Sequence, residues 1–381
     1  MKNPVKVPRV FLPRENFDLW ASPACDRSPY DRLFWENITQ QAGEAPSTRS
    51  CILPDAFSRE ECEEKLAELQ KCMCVYLESG AIERLNRGMI LVERVTSHGL
   101  RRGILANLDL EELGTQKDCL ARFTTDTIPT LIETRVRVRK ESLLEFPHTV
   151  LLYRDKRDKI MRSLDSDLEL LYDVEFSDFG RVTAYFIPNE DAVHVAHDLI
   201  ARADPFFLVA DGNHSLAAAK EYWEAVKAPL SAEERENHPA RFALAEFVNA
   251  FEESVVFEPV HRVIREIEAE SLCDFFAKNV KCKRENNVLY PILSGAESYR
   301  KVDETIEKFI RQNYGRVEYR TERPALLARD TDCVVVALPA VDKEELYAAG
   351  KSGKRFPAKT FCLGAENDAR YSMEGREITY D

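Results

Sequence analysis

The chain has 381 residues, enough for two lobes rather than a single core. Hydrophobic residues make up 44% and charged residues 31%, ordinary for a globular protein; 53 Lys and Arg against 66 Asp and Glu leave a formal charge of −13, which argues against nucleic acid as a partner. The start, MKNPVKVPRVFLP, lacks a core of signal-peptide length, and the longest apolar stretch, CVVVALPAV (333–341), is far too short to span a membrane, so a cytosolic protein with no membrane partner is expected.

Residues 1–50 read as loops broken by Pro13, Pro23, Pro29 and Pro46, with one helix at PYDRLFWENITQQ. SREECEEKLAELQKCMCVYLESG is a long helix: Ser58 and Glu61 have capping-box spacing and Gly80 is a stop. In GMILVERVTSHGLRRGILANLDL two β-branched runs flank a polar turn at 97–99, which predicts a hairpin. TRVRVRK (134–140) alternates strictly and predicts a strand with Arg135, Arg137 and Arg139 on one basic face. HTVLLYRD and VTAYFIP read as strands, NEDAVHVAHDLIARA as a helix, DPFFLVA as a strand and SLAAAKEYWEAVKA as a helix. SAEERENHPARFALAEFVNAF starts helical, breaks at Pro239 and continues as an apolar element, and ESVVFEPVHRVI is a strand leading to a turn. DETIEKFIRQNYG, DCVVVALPAV and KEELYAAG then alternate helix and strand. The expected fold class is α/β with a mixed sheet: a main region over 1–270 and a smaller carboxy-terminal α/β lobe over 271–381.

The chemistry concentrates in FFLVADGNHSLAAAKEYW (206–223), a strand, a tight polar loop and a helix. The first turn of a helix has free N–H groups and a partial positive charge, and such a terminus binds anions, phosphate above all. Gly212 allows a sharp turn and close approach of a ligand. Asn213, His214 and Ser215 add donors, and Asp211 is placed to orient His214 or to ligate a magnesium ion bridging phosphate oxygens. Asp, Asn and Ser are also common N-caps, so spacing alone leaves a capping role and a phosphate role both open.

The residues around this loop resemble the domain-of-unknown-function family 1015. ADGNHSLAAAK is similar to its DG-H signature, itself similar to the nucleotide-phosphate loop of the ParB/sulfiredoxin superfamily. ACDRSPYDRLFWENI, ILVERVTSHGLRRGILANLDLEEL, NHPARFALAEFVNAFEESVVFEPVHRVI and FPAKTFCLGAENDARYSMEGREI resemble other blocks of the family in order. The resemblance implies a ParB/sulfiredoxin-like core and a nucleotide or phosphate at the loop, with free serine or phosphoserine as the most concrete substrate and ATP or ADP with Mg2+ as the cofactor. Three departures stand out. RFTTDTIP has Thr125 and Asp126 where the family pattern reads Glu and Gly, so Asp126 is the candidate base. SDFGRVT keeps only Gly180 of a Gly-Gly-His stretch, and GAENDARY retains Asp368 and Arg370 but lacks a His and a Glu.

Arg135, Arg137 and Arg139, with Arg122 nearby in sequence, form the one dense basic patch, which can attract a phosphorylated small molecule or equally pair with acidic neighbours across the sheet. Arg262 beside His261 can line the site or simply end a strand, and His148 in EFPHTV is a pocket candidate on the family block and otherwise a core or edge histidine. Asp26 and Arg27 are candidate substrate contacts. His194 and His197 are spaced i, i+3 with no third ligand in view, and the identity of any metal site is left open. Ten cysteines include no C-x-x-C pair and read as reduced thiols. No G-x-x-x-x-G-K-S/T phosphate loop, G-x-G-x-x-G or G-x-S-x-G is present. Two functions fit. One is a phosphotransferase or phosphate-ester hydrolase with Asp211, His214 and Asp126 as catalytic residues; the other is a phosphate-binding protein that has lost catalysis.

Overall fold

The computed structural model describes residues 4–23, 31–54, 57, 59–146, 149–164, 167–176, 180–329, 332–365, 368 and 371–380, apart from the side chains of 59, 63, 67, 70 and 72–74. The chain divides into two compact units. Unit 1 comprises Met1–Arg122, Thr127–Val255 and Asn367–Asp381, and unit 2 comprises Phe123–Asp126 and Val256–Glu366.

Unit 1 is built on a ten-stranded mixed sheet. Its strands are β1 (Val5–Lys6), β2 (Gly88–Thr96), β3 (Gly99–Asp109), β4 (Leu113–Gly114), β5 (Ala121–Arg122), β6 (Thr149–Tyr153), β7 (Glu169–Phe176), β8 (Gly180–Pro188), β9 (Phe207–Asp211) and β10 (Phe242–Asn249). The spatial order is β7-β8-β2-β3-β10-β6-β9-β5-β4, with β1 beside the end of β3. β6 runs parallel to β10 and antiparallel to β9, so the start of β6 and the end of β9 share one end of the sheet. All eight residues of β10, FALAEFVN, are buried, as a central strand covered on both faces requires. The expected hairpin is β2 and β3, paired from Thr96 and Gly99 inward.

The main helices of this unit are α1 (Arg32–Ala42), α2 (Arg59–Glu78), α3 (Pro129–Ser142), α4 (Asn189–Ala201) and α5 (Asn213–Lys227). The capping box read at Ser58 falls outside the described residues, as do the side chains of Cys72 and Cys74.

The segment TRVRVRK is helical, not a strand; it forms the middle of α3. Seven alternating residues fit period two, but the element is fourteen residues long and opens on Pro129 at its first turn. Arg, Lys and Glu are good helix formers, and packing of α3 against α2 and α5 overrides the preference of two valines. Arg135, Arg137 and Arg139 therefore do not share a face. Residues four apart do, so Arg135 and Arg139 stack while Arg137 points elsewhere.

Unit 2 carries a five-stranded sheet of β11 (His261–Arg265), β12 (Cys282–Glu285), β13 (Val288–Pro291), β14 (Arg316–Arg320) and β15 (Cys333–Val336), in the order β12-β13-β15-β11-β14. Its main helices are α6 (Ala269–Asn279), α7 (Ala296–Asn313) and α8 (Lys343–Lys351). Helix α7 buries Tyr299, Val302, Thr305, Ile306 and Phe309, the i, i+3, i+4 stripe of an amphipathic helix. Among the described residues no helix is long and apolar enough to cross a membrane.

Candidate functional site

The junction of β9 and α5 forms because apolar Phe207, Leu208, Val209 and Ala210 stop at Asp211 and the chain must reverse. Gly212 makes the turn in the left-handed region, at φ 86° and ψ 24°. A Cβ there would lie 2.4 Å from Thr149 Cγ2 on the adjoining strand β6, so conformation and space both require glycine. Asp211 Oδ1 accepts the Gly212 N–H at 2.6 Å, and Leu216 N–H donates to the Gly212 carbonyl at 2.9 Å. The N-cap of α5 is Gly212, which has no side chain to cap the first turn, and that turn contains no acidic residue. Asn213 is buried. His214 Nε2 accepts the backbone N–H of Ile128 at 3.0 Å, which places the proton of the neutral ring on Nδ1.

Ser215, in the same turn, lines a cleft with Arg135 and Arg139 of α3. The space inside amounts to about 50 Å³. Arg139, 6% exposed, donates from Nη1 to Glu145 Oε1 at 2.6 Å, and its guanidinium lies 6.0 Å from the Tyr222 ring of α5. Glu145, 3% exposed, also accepts from Arg376 Nε at 2.6 Å and from the Leu244 N–H at 2.9 Å. Burial works to raise the Glu145 carboxyl, but Arg139 and Arg376 together hold it below the usual carboxylate range. Two arginines on one buried carboxylate leave a surplus positive charge next to the cleft.

Of the residues singled out in the sequence, the structure brings Asp211, Gly212, Asn213, His214, Ser215 and Arg135 into this region of unit 1. Arg137 sits in α3 but is not among the cleft residues. His148, Asp26, Arg27 and Arg370 fall outside the described residues. Asp126 folds with unit 2, where Arg300 Nη1 takes Oδ2 at 2.7 Å and Arg355 Nη2 takes Oδ1 at 3.0 Å. Arg262 also lies in unit 2 and is 1% exposed. It forks Asp303 through Nε and Nη2 at 2.9 and 2.8 Å, and donates to the carbonyls of Val260, Lys359 and Ala358. Its five N–H donors are thus engaged inside the protein, the bonding of a structural arginine. Arg122 is likewise turned inward, donating to the Lys117 carbonyl and lying 4.0 Å from the Phe206 ring. Asp368 ties the hairpin turn by accepting from Ser97 N–H and Oγ at 2.8 and 2.7 Å. His194 and His197 are exposed on α4, and no cluster of three or more metal-ligating side chains occurs among the described residues. Arg139, Glu145 and Arg376 were not named as a group from the sequence. Reading α3 as a helix would have paired Arg139 with Arg135, whereas nothing local links Glu145 to Arg376.

The family model for proteins of unknown function termed DUF1015 matches residues 10–345. The chain belongs to this family. No curated protein matches this DUF1015 member. Solved structures similar to it include a free serine kinase variant in complex with AMP, at 12% identity and TM-score 0.41 over 72% of this chain and 92% of that one. Another free serine kinase variant, in complex with ADP, matches at 11% identity and TM-score 0.41, again over 72% and 92%. A conserved hypothetical protein from Pyrococcus furiosus matches at 12% identity and TM-score 0.39 over 72% and 95%.

Proposed function

We propose that the protein binds a phosphate-bearing small molecule, adenine nucleotides included, where β9 meets α5, and uses it in phosphoryl-transfer or phosphate-ester chemistry on a small hydroxy metabolite such as serine or phosphoserine. The observation that carries this reading is the first turn of α5, which opens on a glycine and presents Ser215 to a cleft shared with two arginines. In this reading the core is ParB/sulfiredoxin-like and the 211–215 loop is its phosphate loop. The first-turn amides, Asn213 and Ser215 hold phosphate oxygens, Arg135 neutralises their charge, and Arg137 acts from the same helix. ATP or ADP would bring Mg2+ on its own phosphates. A single carboxylate, Asp211, suits that arrangement better than a dedicated metal cage, in keeping with the lack of any three-ligand cluster among the described residues. Catalysis would rest on positioning and charge stabilisation by these groups.

A second reading, a phosphate-binding protein without turnover, is favoured by one observation. Arg300 and Arg355 take both oxygens of Asp126, and His214 Nε2 already serves the Ile128 N–H, so two candidate bases are engaged. The test is a thermal-shift series with AMP, ADP, ATP and O-phosphoserine, each with and without magnesium, on wild type and Ser215→Ala. Binding to the folded state at a hundred times Kd stabilises by about 2.7 kcal/mol. A shift in wild type that weakens in Ser215→Ala supports the site, and no shift with any phosphate compound removes it. Phosphorus NMR of serine with ATP then separates enzyme from binder.

A further inference from the structure

The cleft at the start of α5 also says what kind of anion it takes. Glu145 is fully used, accepting from Arg139, Arg376 and the Leu244 N–H. Arg139 is not. Its Nε and Nη2 are buried with no hydrogen-bond partner among the described residues, although the residue is only 6% exposed. Those atoms carry three N–H donors, held in a fixed plane by Glu145 on one side and Tyr222 on the other. Protein interiors seldom leave such donors idle, and Arg139 is one of the residues that line the cleft, which marks it as a ligand position.

We propose that this cleft is a subsite for the terminal phosphate of a phosphomonoester, received by the open donors of Arg139 together with Ser215 and Arg135. The proposal rests on the phosphate reading above and narrows it. Charge selects an anion: Arg139 and Arg376 share the one carboxylate of Glu145 and leave a surplus positive charge beside the cleft, which a phosphomonoester, close to doubly charged near neutral pH, answers. A phosphate group offers three oxygens to the Arg139 donors and the Ser215 hydroxyl, where a carboxylate offers two. Size selects a compact group. A cavity of about 50 Å³ holds roughly four water-sized atoms at about 10–15 Å³ each, which suits a tetrahedral anion and not a nucleoside. Ile52, Val138 and Phe146 form an apolar wall, so the carbon side of the ester can be hydrophobic. Because Glu145 and Arg376 fix Arg139 before any ligand arrives, little ordering remains to be done on binding.

Two sources offer this chemistry, a small phosphorylated metabolite and the terminal phosphate of a nucleotide, and titration calorimetry can separate them. The probes are phenyl phosphate, O-phosphoserine, benzoate and AMP, titrated into wild type, Arg139→Gln, Arg139→Lys and Ser215→Ala. Phenyl phosphate should bind wild type with benzoate at least tenfold weaker, and Arg139→Gln should weaken phenyl phosphate by about 10- to 100-fold. Arg139→Lys keeps the charge but loses the fork and should fall between; it serves if Arg139→Gln does not fold, as does Ser215→Ala. An equal loss of AMP and phenyl phosphate in these variants assigns the subsite to the nucleotide's phosphate. Loss of phenyl phosphate and O-phosphoserine with AMP unchanged assigns it to the metabolite. The inference is overturned if wild type binds AMP but not phenyl phosphate, or if the Arg139 variants bind phenyl phosphate as wild type does. The broader phosphate reading would survive that result and fails only if no phosphate compound binds at all.

Discussion

Replacing Gly212 with alanine tests whether the β9–α5 junction has the tight geometry on which the site depends. An L-residue in the left-handed region costs about 1–2 kcal/mol. The new Cβ would also sit 2.4 Å from Thr149 Cγ2, 2.8 Å from its Cβ and 3.2 Å from its Cα. Thr149 is 2% exposed in strand β6 and has no room to swing aside, so overpacking adds about 1–3 kcal/mol. The sum is about 2–5 kcal/mol, a large fraction of the stability of an ordinary domain, which is about 5–15 kcal/mol. Urea unfolding followed by circular dichroism at neutral pH measures it, provided the slope of stability against urea stays constant. Thr149→Ser removes the nearest clashing methyl, so the double variant should recover about 1 kcal/mol relative to additivity. A loss below about 1 kcal/mol for Gly212→Ala, or strict additivity with Thr149→Ser, would show that the backbone does not approach β6 as described.

Glu145→Gln keeps the size of the side chain but leaves Arg139 and Arg376 buried without their shared counter-charge, and should lower the urea-derived stability by about 3–5 kcal/mol; a loss under about 1 kcal/mol would mean the two arginines are hydrated in solution. His261 is buried, and burial first, then Arg262, push its imidazole down to about 4, with Glu322 opposing. A depressed histidine stabilises the fold above its unfolded value near 6.5, and that stability is lost as pH falls from about 6.5 to about 4. Over this window wild type should lose about 2–4 kcal/mol more than His261→Asn, and parallel curves for the two proteins would refute the assignment. Glu145, held low in the folded state, adds a loss of the same sign at still lower pH, so Glu145→Gln should flatten the acid limb of the stability profile below pH about 4.3.

Elements with a local signal were legible in the sequence. The β2–β3 hairpin follows from two apolar runs around Ser97, His98 and Gly99, and the β9–α5 junction from the switch at Gly212 between a buried run and helix formers. Helix α3 was not legible, because Thr134 to Lys140 satisfies period two by accident of composition, while the forces that make it helical come from α2 and α5. Only the helical period puts Arg135 and Arg139 on one face without Arg137. Other relations had no local trace. Arg262 finds its partner Asp303 41 residues on, and Arg376 finds Glu145 across 231. The sequence offers a basic residue in each place, but whether its donors are spent or open is decided by packing.

The strand Arg376–Glu377 pairs with Leu144–Glu145, Tyr371–Ser372 pairs with Ser22–Pro23, and Trp20 donates to the Met373 carbonyl. These closing contacts belong to unit 1, yet they are encoded after the whole of unit 2. On the ribosome, therefore, the larger unit has to wait with Glu145 and the hydrophobic groove around Trp20 unfilled until the smaller one has been made, and a chain interrupted after residue 366 would lose the integrity of the unit that is nearly all synthesised first.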